Sequence, residues 1–127
     1  MTRRVLLGED DADLRDLLVG FLTGAGWEVR AMTIGRDDAH LAGDGAFAFA
    51  IVDVRPTTSL GLARVRSLRA CEPGLPILVL TSFSDAPLAA RLVTLGVTHI
   101  LEKPFDLEDL ERAVEGVADR YSSGAVW

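Results

Sequence analysis

Three carboxylates, a hydroxyl and an ammonium stand where short apolar runs of this chain give way to polar residues. Glu9 and Asp10 follow the run Val5 to Gly8, Asp53 ends Phe49 to Val52, Thr81 ends Ile77 to Leu80, and Lys103 comes just after Thr98 to Leu101. If the first and third runs are neighbours, Glu9, Asp10 and Asp53 share one small space, and their repulsion must be relieved by a cation or by proton uptake. A ligand set made only of oxygen favours Mg2+ over zinc or copper. There is no competing cluster of cysteine and histidine. Cys71 is the single cysteine, read as structural, and the two histidines, His40 and His99, are not near one another in the coarse topology and receive no role.

Lys103 is the only lysine beside 12 arginines, so this position calls for a compact ammonium on a flexible stem, as a phosphate contact does. Phosphoryl transfer depends on in-line positioning and charge neutralisation more than on covalent machinery. Mg2+, Lys103 and the Thr81 hydroxyl would supply these around Asp53. A carboxylate nucleophile needs no general base, and its product is an aspartyl phosphate. Arg55, two residues after Asp53, is long enough to fold over the phosphoryl oxygens and pair with them. Asp11 and Asp13 are read instead as a helix start, where acids interact favourably with the helix dipole.

The elements that must hold these groups alternate: an apolar run, then a segment with helical periodicity, five times over. Leu14, Leu17, Leu18, Phe21 and Leu22 mark one helical face, ended by Gly24 and Gly26. Trp27 to Ala31 reads as the second strand and Arg36 to Leu41 as a short helix. Leu60 to Ala70 is a helix ended by the turn at Glu72, Pro73 and Gly74. Ser84 or Asp85 caps a helix reaching Leu95, and Gly96 stops it. Asp106 caps the last helix, in which Leu107, Leu110, Val114 and Val117 form the apolar stripe before Arg120. Strand-then-helix units point to an α/β fold, a parallel sheet covered on both faces and doubly wound. Ligands of such sheets bind at the carboxyl ends of the strands, where the five polar groups lie.

The chain has 127 residues, 49% of them apolar and 25% charged, which suits one folded domain rather than a disordered chain. A net charge of -6 without a basic cluster removes the dominant contribution to nucleic-acid affinity, so no direct nucleic-acid binding is expected. The longest apolar run, Ala46 to Val52, is too short for membrane insertion. Arg3 and Arg4 precede too few apolar residues for a signal peptide, and cytoplasmic localisation is expected.

These residues resemble those of the receiver domain of bacterial two-component response regulators. The resemblance covers almost the whole chain, with residues 1–121 as the domain and 122–127 as a short tail, and implies a flavodoxin-like (βα)5 fold with strand order 2-1-3-4-5. It implies that Glu9 and Asp10 in VLLGEDD bind Mg2+ together with Asp53, and that Asp53 in AIVDV is the phosphoacceptor. Arg55 would lend its backbone carbonyl to the metal. Thr81 in LVLTS would be the switch hydroxyl, and Lys103 in LEKPF the phosphate-contacting lysine before a cis proline. Gly61 falls at the family's loop glycine.

The sequence departs from the family's pattern at Ile100, where an aromatic residue is usual, at Pro56, one residue early, and at Leu60, where aspartate is frequent before the glycine. Gly8 replaces a usual branched residue beside the acidic pair.

As a receiver the chain would take a phosphoryl group from a sensor histidine kinase or a histidine phosphotransfer protein. It would then engage a downstream protein target, or a second copy in a phosphorylation-linked homodimer. It would catalyse only its own modification and would not be a metabolic enzyme. A phosphorylation-independent receiver-like interaction module is the alternative, motivated by Ile100 and the Arg55-Pro56 loop. An aspartate-nucleophile phosphatase is disfavoured, because Arg55 stands where such enzymes carry a second acid. A dinucleotide site is disfavoured because the first turn is acidic and lacks a glycine-rich cradle.

Overall fold

Alternation along the strands decides which helices cover which face. In the computed structural model, which describes residues 3–32, 42–43, 46–55, 58–82 and 86–122, the elements in chain order are β1 (Arg4–Gly8), α1 (Ala12–Gly24), β2 (Glu28–Ala31), β3 (Phe49–Asp53), α2 (Leu60–Cys71), β4 (Ile77–Thr81), α3 (Ala86–Thr94), β5 (His99–Glu102) and α4 (Leu107–Ser122). The strands form one parallel sheet in the order β2-β1-β3-β4-β5. This is the expected doubly wound order. The expected short helix Arg36 to Leu41 and the caps Ser84 and Asp85 lie outside the described residues.

Successive strand residues face opposite sides. Leu6, Ala50, Val52, Ile77 and Val79 pack with Leu62, Val65 and Leu68 of α2 and Leu92 of α3. Val5, Leu7, Phe49, Ile51, Leu78 and Leu80 pack with Leu18 and Leu22 of α1 and with Leu110, Ala113, Val114 and Val117 of α4. Every residue of β3 and β4 is buried, as expected of central parallel strands. Each large apolar side chain buried this way contributes about 1.5–3 kcal/mol, so the strand ends are fixed by the core beneath them.

Helix ends follow the local chemistry. Asp11 caps α1 by accepting from the Asp13 and Leu14 amides at 3.0 and 3.2 Å, and Asp106 caps α4 by accepting from the Asp109 amide at 2.8 Å. Gly26 and Gly96, just past α1 and α3, adopt φ of +93° and +73°, a region open to glycine at little cost. Two expectations need correction. Leu17 belongs to the predicted apolar face of α1 but is 53% exposed, because Leu18 and Leu22 complete the contact with the sheet. Cys71, read as structural, is the last residue of α2 and is exposed.

Candidate functional site

β1, β3 and β4 end side by side, and register places their polar residues together. Gly8 pairs with Val52, and Asp53 pairs with Leu80, so Glu9, Asp53 and Thr81 emerge together at the carboxyl ends of the three central strands. Thr81 is fully buried, and its carbonyl accepts from the Lys103 amide at 2.7 Å. The Lys103–Pro104 peptide is cis, as the resemblance implied.

Asp53 divides its carboxylate between two cations. Lys103 Nζ donates to Oδ1 at 2.8 Å, and Arg55 Nε donates to Oδ2, also at 2.8 Å. Glu9 lies beside it, with Lys103 Nζ 3.4 Å from Oε1 and an Arg55 terminal nitrogen 3.6 Å from Oε2. The Asp11 amide also donates to Glu9 Oε2, at 3.2 Å. Asp10 stands apart from this group, its Oδ1 accepting from Arg64 Nη1 at 3.1 Å. Three carboxylates thus meet three cations, Lys103, Arg55 and Arg64.

Electrostatics separate the two inner acids. For Asp53, burial is the largest single influence and pushes the pKa up. Hydrogen bonds from Lys103 and Arg55, the Lys103 charge and a hydrogen bond with Glu9 together outweigh it and hold Asp53 below the usual carboxylate value. Glu9 moves the other way: burial dominates and, aided by the Asp53 charge, raises it despite the Asp11 amide and Lys103. Of the two, Asp53 is the more readily ionised. The Arg55 guanidinium is held more firmly protonated by its hydrogen bond to Asp53.

α2 meets the site through backbone. A Cβ at Gly61 would run into the Asp53 carbonyl oxygen and would lie 2.8 Å from Val54 Cα, closer than any side chain is accommodated. Only glycine permits this approach.

Carboxylate oxygens such as those of Glu9 and Asp53 are chemically suited to a hard divalent cation, and the resemblance adds the Arg55 carbonyl to them. That carbonyl accepts a long turn hydrogen bond from the Thr58 amide at 3.4 Å. Among the described residues, no three acidic, histidine or cysteine side chains converge as a group that could hold a metal ion, and Asp10 is paired with Arg64. Sequence reasoning missed Arg64. Its signal was a charge on the buried stripe of α2, where Gly61, Leu62, Val65 and Leu68 are also buried.

Comparison with known proteins agrees with this geometry. FixJ of Bradyrhizobium diazoefficiens, a transcriptional regulatory protein, is 33% identical over 111 residues, 84% of this chain and 52% of that protein. TctD of Salmonella typhimurium is 32% identical over 123 residues, 97% of this chain and 54% of that protein. ZraR of Escherichia coli is 27% identical over 111 residues, 87% of this chain and 25% of that protein. The chain therefore spans between about a quarter and about half the length of these relatives. Among solved structures, the chemotaxis protein CheY4 of Vibrio cholerae superposes with a TM-score of 0.79 at 28% identity, covering 92% of this chain and 99% of that one. A CheY-like receiver domain protein of Methanospirillum hungatei shares the fold with a TM-score of 0.83 at 21% identity, over 98% and 100% of the two chains. Residues 5–115, from β1 into α4, match the response regulator receiver domain, and the chain belongs to that family of two-component signalling domains.

Proposed function

We propose that Asp53 is the phosphoacceptor of a signalling switch, and that a sensor histidine kinase or a histidine phosphotransfer protein is the donor. The observation that carries this reading is the Asp53 carboxylate itself. It is buried at the end of β3, kept ionised below the usual range, and held at Oδ1 by Lys103 at 2.8 Å. In the transfer step an Asp53 oxygen attacks phosphorus in line, a P–O bond forms, and the P–N bond to the donor imidazole breaks with the electron pair returning to nitrogen. Lys103 stays with the phosphoryl oxygens, and Thr81 supplies the hydroxyl that responds to the new group. Glu9, Asp10 and Asp53, with the Arg55 carbonyl, would hold Mg2+, which would neutralise charge on the transferring group.

Phosphorylation then biases a conformational equilibrium read by a downstream protein target or a second copy of the chain. The domain acts on itself and turns over no metabolite. No helix of the described residues is long and apolar enough to cross a membrane.

The alternative, a phosphorylation-independent interaction module, draws support from Arg55 standing on Asp53 Oδ2. Incubation with acetyl phosphate and Mg2+, followed by intact mass measurement, separates the two. The proposal expects one labile phosphoryl group on the wild type and none on Asp53→Asn. Failure of the wild type to label, or labelling that survives the substitution, rejects it.

A further inference from the structure

Arg64 is only 7% exposed, yet it carries a full charge into the interior. Its Nη1 pairs with Asp10 Oδ1 at 3.1 Å, while its Nη2 is buried with no hydrogen-bond partner. A buried guanidinium with one ion pair and one unsatisfied nitrogen is a poor way to stabilise a fold, since an apolar side chain of similar volume avoids both desolvation and the unmet donor. Its placement therefore calls for a role at the acid it holds.

The lane that Arg64 occupies is opened by Gly8. A Cβ built at Gly8 would lie 3.4 Å from Met32 Sδ, 3.5 Å from Arg64 Cδ and 3.6 Å from Arg64 Nη1. A single methyl fits there, but the next carbons of a branched side chain would claim the space now filled by the guanidinium. Position 8 thus decides whether an arginine on α2 can reach the acid two residues further along β1's exit.

We infer that Arg64 is an internal counterion that competes with a divalent cation for Asp10, so that metal enters this site by displacing a guanidinium, and that Gly8 is the residue that admits it. The inference rests on the reading of Glu9, Asp10 and Asp53 as the cation site. A divalent ion near Asp53 and Glu9 gains its third carboxylate only when Asp10 leaves Arg64, and the like charge of the guanidinium opposes the ion until it withdraws. Arg64 is thus a positioning residue that sets the metal concentration at which the site fills.

The test is direct cation binding to the whole chain, read from the free Mn2+ signal in electron paramagnetic resonance. Arg64→Met and Gly8→Val should each bind Mn2+ about tenfold more tightly than wild type, the equivalent of releasing one charge-assisted hydrogen bond. Adding Asp10→Asn to Arg64→Met should abolish the gain. Unchanged or weaker binding by a folded Arg64→Met overturns the inference, as does a gain that persists without the Asp10 carboxylate. Should either single variant fail to fold, the wild type still decides: saturating Mg2+ should shift the Arg64 Nε–H resonance, and an unmoved resonance with Mg2+ bound rejects the displacement. Phosphoryl labelling of Asp53 is scored separately. Tighter Mn2+ binding without labelling retains the counterion and rejects the phosphoacceptor, whereas labelling with no gain in Mn2+ affinity does the reverse.

Discussion

The Lys103 ammonium lies 2.8 Å from Asp53 Oδ1, although β4 separates their strands in the sheet. The lysine main chain is tied to β4 by its own amide, which donates to the Thr81 carbonyl at 2.7 Å, and only the flexible side chain crosses over. This position is fixed by the sheet and available to a phosphoryl group. Lys103→Met should slow acetyl-phosphate labelling of Asp53 by roughly a hundredfold, the usual effect of removing one preorganised charge from a reacting oxyanion. Stopped labelling time courses read by mass give the rate, and equal rates reject the assignment.

Arg55 covers the other oxygen. Its side chain is 43% exposed yet ends 2.8 Å from Asp53 Oδ2, so it can stay over a phosphoryl group and hinder an incoming water. Arg55→Asn should shorten the lifetime of the aspartyl phosphate about tenfold, the rate equivalent of one charge-assisted hydrogen bond. Decay after removal of acetyl phosphate, at fixed Mg2+, measures it, and an unchanged lifetime discards the shielding role. Phe83, two residues after Thr81, where the resemblance to receiver domains sets a second residue beside the path of attacking water, lies outside the described residues.

In the metal-free chain, Glu9 and Asp53 act oppositely on stability. Asp53 has a folded pKa below its ordinary value of 3.8, so its contribution is present above that value and is lost as pH falls through the folded pKa. Glu9 has a folded pKa above 4.5, with burial the main cause. Its ionised form therefore weighs against folding at neutral pH, and this cost is relieved as pH falls through the folded pKa towards 4.5. In EDTA, Glu9→Gln should melt higher than wild type at pH 7, with the gain shrinking as pH is lowered to 4.5. Thermal melts across that window check the sign, and a gain that grows on acidification contradicts it.

Core and rim leucines should separate cleanly. Leu80 is fully buried opposite Asp53, and Leu80→Ala should cost about 2–5 kcal/mol. Leu17 is 53% exposed, and Leu17→Ala should stay within about 0.5 kcal/mol of wild type. Urea unfolding measures both, and comparable losses would contradict the assignment of the α1 face.

Much of this architecture was legible in the sequence because β1, β3, β4 and β5 are built on short apolar runs followed at once by polar residues, and the candidate site residues are among those polar residues. Asp53 and Thr81 announced themselves by ending β-branched and leucine-rich segments. Leu17 misled because helical spacing defines an arc, while the sheet covers only the part of it centred on Leu18 and Leu22. Arg64 was hidden for another reason. A charge within Leu60 to Ala70 reads as solvated unless its neighbours are placed, and its partner Asp10 is 54 residues away, a separation that periodicity cannot span. Gly8 was noticed as a departure, but its meaning needed the side chain that passes over it.

Where α2 begins, main chain rests on main chain: Gly61 leaves no side chain between the helix and residues 53–54. A compliant layer of rotatable side chains would absorb small movements of the Asp53 backbone, and this junction has none. Close-packed atoms transmit displacement with little loss, so α2 and the end of β3 move as one stiff piece. Arg64 rides on that piece one turn further along, gripping Asp10 at the exit of β1. A shift at the end of β3 would thus become tension on the acid at the exit of β1, with the glycine as the rigid coupling of the linkage.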